Sequence, residues 1–311
     1  METNNRHELA EAVAVITEHA REIIAGSFKN VDRIFDLTDR KKHSPEIAEL
    51  AETFGMMSVK VEAREYALEQ TIQELRAKKA DLEEANRIRT QLASIFISVV
   101  LLITFYTFAL GFLHSRFLTG DPFFNSIKDY VSRGIELITL LIVVRMIINS
   151  RLPLQSFGIT LQGWRGSLVE SVAVSAVVIG LLFIFKIWAN TAFPGLFKET
   201  ELVRLQYFDL SYMGYIAVAP LQEFITRGTV QSTLTRLFSG PHNGFLAILV
   251  TSFLFGSLHV YSSINLAVVA VLTSWLWGWM YHRQKNLIGV GLSHFLIGDM
   301  AGLMGYWNFF G

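Results

Sequence analysis

Apolar positions along this chain fall into two patterns that change near residue 92. From His7 to Ile24, Leu9, Val13, Ile16, Ala20 and Ile23 recur three or four residues apart, which predicts an amphipathic helix. A polar connector from Gly26 to Ser44 follows, carrying Val31, Ile34 and Leu37. Ser44-Pro45-Glu46 reads as a helix start, with Ser as the N-cap, Pro at the first helical position and an acid in the first turn. Beyond it Phe54, Val61, Leu68, Leu75 and Leu82 repeat every seven residues, one seam of a coiled coil. The companion seam of Ser58, Glu65, Ile72, Lys79 and Asn86 has one apolar member, so a marginal or switchable association is expected.

After residue 92 the apolar residues run together instead. Stretches at roughly 94–114, 134–150, 168–188, 211–236, 243–261, 264–282 and 286–308 approach the length of about 20 residues that a span requires. The expected fold is all-α: a polytopic transmembrane helical bundle of about seven spans, preceded by a cytoplasmic helical hairpin and coiled coil. The expected division is a head at 1–92 and a membrane region at 93–311.

Composition agrees with this division. Mean hydropathy is +0.38, and charge is concentrated in the head. The formal net charge of +0 excludes the basic excess that nucleic-acid binding needs. Without cysteine there is no disulfide, thiolate metal site or cysteine nucleophile. No cleavable signal peptide is expected. Arg76, Lys78, Lys79, Arg87 and Arg89 precede the first span, which predicts a cytoplasmic N-terminus in the cell membrane. Alternation then puts Arg151, Arg165, Arg236, Arg283 and Lys285 inside and the C-terminus on the opposite side.

Ionisable residues within spans are costly and mark function by default. Glu136, Glu170 and Lys186 lie near span ends, where they can snorkel, and Arg145 can reach the cytoplasmic surface. Gln222, Glu223 and Arg227 share one span behind Pro220. Glu223 and Arg227 are four residues apart, so they can pair on one helix face. His259 follows Phe255 by four, and His294 precedes Asp299 by five. Two histidines and a Glu–Arg pair on three spans would suit a wet site that activates water and stabilises an oxyanion. By these spans His294 lies near mid-membrane and His259 toward the outer end of its own.

Two resemblances follow. Glu46-Ile47-Ala48-Glu49-Leu50-Ala51-Glu52-Thr53-Phe54-Gly55-Met56-Met57 resembles the start of the second helix of a HAMP signalling module, with Ala48 in place of the usual Gly. The three membrane segments resemble the motifs of the CPBP family, the CaaX protease and bacteriocin-processing (Abi-type) intramembrane proteases: EExxxR, FxxxH, then HxxxN or HxxxD. Phe157-Gly158-Ile159, Trp277-Gly278-Trp279-Met280-Tyr281 and Asn286-Leu287-Ile288 add to it, and the resemblance covers about 135–308.

The resemblance implies that Glu223 and Arg227 are the second Glu and the Arg, that His259 activates water and that His294 belongs to the oxyanion site. It departs at two positions. The first Glu, the family's general base, is Gln222, and an amide cannot take a proton from water at neutral pH. The residue four after His294 is Gly298, with Asp299 adjacent but about 100° away around the helix. The implied site is therefore Gln222, Glu223, Arg227, His259, His294 and Asp299. Glu223, His259 and His294 could supply three ligands to a divalent metal such as zinc, and metal-independent chemistry is equally open.

The function expected is an intramembrane endopeptidase acting on membrane-associated peptides or proteins. The alternative is a catalytically impaired relative that signals or binds a partner. The expected partners are the lipid bilayer, that substrate, and a second copy of the chain held through the N-terminal helices; no nucleic acid is expected.

Overall fold

The computed structural model describes residues 2–28, 31–116, 122–197, 200–208, 210–260 and 263–307. Among them every regular element is helical. The chain divides into two compact units, residues 1–85 and 86–311.

In the first unit α1 (Glu2–Ile24) and α2 (Val31–Asp36) pack together, and α3 (Pro45–Arg116) begins. The connector is thus partly helical, and its Ile34 is buried, as are Ala12, Ile47, Ala48 and Ala51 of the flanking helices. The predicted helix start is present: α3 opens at Pro45 and the Ile47 N–H faces Ser44 Oγ at 3.5 Å. Ser58, a polar member of the weak seam, is buried against His19, with Oγ 2.9 Å from Nε2. Leu68, Leu75 and Leu82 are exposed.

The second unit continues with α4 (Pro122–Ser150), a short 3₁₀ turn (Leu154–Phe157), α5 (Trp164–Ala192), a second 3₁₀ turn (Leu205–Tyr207) and α6 (Leu210–Glu223). A π-helical segment (Phe224–Gln231) leads into α7 (Ser232–Leu237), and α8 (Asn243–Ser257), α9 (Ile264–Gln284) and α10 (Leu287–Leu303) follow. Each of the seven apolar stretches seen in the sequence overlaps one or more of these elements. Among the described residues three helices, α3, α5 and α9, are long and apolar enough to cross a membrane, while α8 and α10 are apolar but shorter.

The burial pattern is that of a membrane protein. On α5 the buried residues are Ser167, Ser171, Ser175, Lys186 and Ala189, whereas Val169, Val172, Leu181 and Ile184 face outward. Small and polar residues inside with aliphatics outside is the arrangement hydrocarbon selects, because lipid gives apolar side chains no reason to hide. α10 packs against α5 and α6, and α8 against α9. At the α5–α10 contact a Cβ on Gly289 would lie 2.2 Å from Ser167 Oγ and 2.5 Å from Ser171 Oγ. The absent side chain lets the two backbones meet.

Lys186 departs from expectation. It does not snorkel: it is fully buried, and its ammonium donates to the carbonyls of Met304, at 2.7 Å, and Glu201. Carbonyls left over where α10 ends and in the loop before α6 satisfy the charge, so the lysine fastens these segments together. Arg204 is also buried and reaches Gly302 O at 3.4 Å.

The Phe157-Gly158-Ile159, Trp277–Tyr281 and Asn286 motifs meet at one end of the bundle. Gly158 has φ 74 and closes against the Tyr281 ring, where a Cβ would sit 2.6 Å from Cε2. Its carbonyl accepts from the Leu287 N–H at 3.1 Å. Asn286 caps α10 through Ile288 N at 2.8 Å and donates to the Thr160 and Gln162 carbonyls. The Tyr281 hydroxyl meets Ser232 Oγ at 2.7 Å, tying α9 to α7. This clamp ties α7, α9 and α10 together.

Candidate active site

α6 runs through Pro220, whose missing N–H and ring weaken the preceding turn. Immediately after Glu223 the backbone widens into the π segment. Thr229 Oγ1 reaches back five residues to Phe224 O at 3.1 Å and Ser232 Oγ to Arg227 O at 3.1 Å, serving carbonyls of the wide turn. Such segments are rare and concentrate at functional sites.

Glu223 and Arg227 lie at the entrance of this turn, both fully buried. Glu223 Oε2 is 3.1 Å from Arg227 Nε, an ion pair without hydrogen-bond alignment. Arg227 Nη2 donates to Ser274 Oγ on α9 at 3.0 Å, and its Cζ stands 5.8 Å above the Phe255 ring of α8. Glu223 Oε1 is 2.9 Å from Nδ1 of His294 on α10. A carboxylate oxygen accepts, so Nδ1 carries the proton. Trp277 stacks on that imidazole, with centroids 4.0 Å apart and planes at 24°. Trp277 Nε1 donates to Ser293 Oγ at 3.2 Å, which also receives Ser175 Oγ from α5 at 3.0 Å. Four helices therefore hold one imidazole.

The other nitrogen of His294, Nε2, lies 3.0 Å from the hydroxyl of Tyr215 on α6. The sequence reading missed Tyr215. A signal existed in its position seven residues before Gln222, near the same helix face, but nothing in the spacing distinguished it from other interfacial tyrosines. Gly298 makes room for it: a Cβ there would lie 2.7 Å from Tyr215 Cε1 and 3.0 Å from its hydroxyl.

His259 sits in the turn after α8. Its Nδ1 is 2.9 Å from Phe255 O; a carbonyl only accepts, so Nδ1 is protonated and Nε2 presents its lone pair. Among the described residues that Nε2 has no hydrogen-bond partner. Phe255 contacts both imidazoles, with centroids 4.9 Å from His259 and 5.8 Å from His294. One ring therefore lies against both imidazoles.

A family model described as Rce1-like, Type II CAAX prenyl endopeptidase Rce1-like, matches residues 205–298. Residues 205–298 are thus similar to this family. The match agrees with the CPBP resemblance of the three motifs, a family of intramembrane endopeptidases. No curated protein and no solved structure matches the chain.

Within the matched region the structure joins Tyr215, Glu223, Arg227, His294 and, through Phe255, His259. Gln222 stands beside them half-buried; its carbonyl accepts Thr226 Oγ1 at 2.7 Å, and its side chain has no hydrogen bond among the described residues. Asp299 lies one residue beyond the match, half-buried, and makes no hydrogen bond to His294 or Glu223. The possible metal set of Glu223, His259 and His294 is not formed. Among the described residues no group of three His, Cys, Asp or Glu side chains could hold a metal ion, and both nitrogens of His294 face protein partners.

Proposed function

We propose that this protein is an intramembrane endopeptidase that hydrolyses peptide bonds of membrane-associated substrates. The observation that carries the reading is Phe255, packed against a histidine with an available lone pair and against a second histidine tied to a buried carboxylate. In this mechanism His259 Nε2 takes a proton from water as the oxygen adds to the scissile carbonyl. The carbonyl electron pair moves onto its oxygen, which is stabilised on the His294 side. His259 then returns the proton to the departing amide nitrogen as the C–N bond breaks. Glu223, with one oxygen on His294 and the other on Arg227, acts by orienting His294 rather than as the base.

Purified protein in proteoliposomes, given a quenched fluorogenic peptide library, is expected to cleave. His259→Ala and His294→Ala are each expected to lower turnover on the order of 10²-fold or more. Cleavage unchanged in both would remove this assignment.

A second reading is favoured by Gln222, which supplies no carboxylate where the family's base stands: a non-catalytic scaffold that binds a membrane partner. Wild-type protein that cleaves nothing yet retains a partner in His259→Ala would establish it.

In the same proposal the head is a cytoplasmic HAMP-like relay that dimerises through the exposed Leu68, Leu75 and Leu82 seam. Seven spans then bring the C-terminus to the opposite side of the cell membrane.

A further inference from the structure

Burial rises inward along one hydrogen-bonded chain. Tyr215 is half-buried, His294 is nearly closed off, and Glu223 and Arg227 are fully enclosed. A substrate approaching this chain meets the phenol before the imidazole, whose nitrogens are both engaged at 2.9 and 3.0 Å. His294 cannot itself donate to a substrate oxygen unless Tyr215 moves away.

We propose that Tyr215 is a catalytic residue, the hydrogen-bond donor to the oxyanion, with His294 and Glu223 holding it in place. The inference rests on the endopeptidase reading. A phenolic oxygen has one proton to donate and two acceptor sites. In the free site the phenolic O–H faces His294 Nε2, and on substrate binding it turns to the substrate carbonyl oxygen. As water oxygen bonds to the carbonyl carbon, the C=O π pair becomes a lone pair on oxygen, and Tyr215 donates a hydrogen bond to it. No bond to Tyr215 breaks; the water proton resides on His259 and leaves with the amine.

Gly298 is the enabling residue. The Tyr215 ring fills the space one helical turn beyond His294 that any side chain at 298 would need, since even a Cβ would come within 2.7 Å of it. The ring also stands edge-on to His294 and to Trp307, at centroid distances of 5.9 and 6.2 Å, which fixes the direction of its hydroxyl.

The test uses the full chain in proteoliposomes with a peptide the wild type cleaves. Tyr215→Phe keeps the ring and removes one oxygen. Its kcat is expected to fall on the order of 10²-fold while KM and melting temperature stay near wild type, the split that marks an interaction made in the transition state. Gly298→Ala displaces the same ring while leaving the hydroxyl on the chain, and is expected to lose kcat similarly, so the result does not hang on one variant's folding. Cleavage abolished by His259→Ala but unchanged in both Tyr215→Phe and Gly298→Ala overturns the role of Tyr215 and leaves the endopeptidase reading standing. A wild type that cleaves no peptide overturns both.

Discussion

Glu223 Oε1 and His294 Nδ1 stand 2.9 Å apart across the α6–α10 contact, and neither residue has appreciable access to solvent. The same carboxylate faces Arg227, so one buried anion serves two partners. Replacing Glu223 by Gln would keep the shape and strip the anion from beside an enclosed guanidinium. Breaking a buried pair from one side costs about 3–5 kcal/mol, whereas replacing both partners by apolar groups is often close to neutral. Glu223→Gln should therefore lower the thermal midpoint strongly, and Glu223→Leu with Arg227→Met should recover most of it. A double variant less stable than the single would contradict the ion-pair account.

Gln222 offers the reverse experiment. It is half-buried, and its side chain is not engaged among the described residues. Gln222→Glu would add a carboxylate beside the site without breaking an existing bond. A positioned base contributes on the order of 10²-fold or more, so peptide turnover should rise by at least about tenfold. No gain in a folded variant would favour the partner-binding reading.

Gly158 should tolerate nothing larger. Its φ of 74 suits glycine, and a Cβ would strike Tyr281. Gly158→Ala is expected to destabilise by more than about 1 kcal/mol, read as a lower unfolding temperature in detergent. Its effect should exceed that of Gly166→Ala, where a Cβ would meet open space.

Lys186 ties two backbone segments with one ammonium. Lys186→Met keeps the volume but leaves the Met304 and Glu201 carbonyls without this donor, a loss of about 1–3 kcal/mol for each buried acceptor left unsatisfied. Limited proteolysis should show faster cutting between residues 193 and 208 in the variant than in the wild type.

The head makes a separate prediction. Leu68→Lys with Leu75→Lys puts charge into the exposed seam, and the full chain, expected to be a dimer in light-scattering measurements, should become a monomer. A wild-type monomer would dispose of the seam as a dimer contact.

Much of this was readable from periodicity. Apolar runs located the helices because lipid demands length, and the four-residue step from Glu223 to Arg227 announced their pairing because helix geometry admits few alternatives. Lys186 misled, since position near a span end does not reveal that carbonyls of distant segments would fold over it. α2 escaped notice because its single buried anchor, Ile34, makes no period. Tyr215 escaped because its importance comes from an absence eighty-three residues later, at Gly298, and hydropathy assigns no value to space.

The π segment has a consequence for the rod that contains it. Glu223, before the wide turn, is keyed to α10, while Gln231 and Ser232, at its end, are keyed to α9 through Gly278 O at 2.9 Å and Tyr281 at 2.7 Å. The same residues wound as ordinary helix would carry one set of keys about 100° further round relative to the other. Such a regular rod could dock with either neighbour but not with both, so the wide turn works as a phase adjuster between two locks.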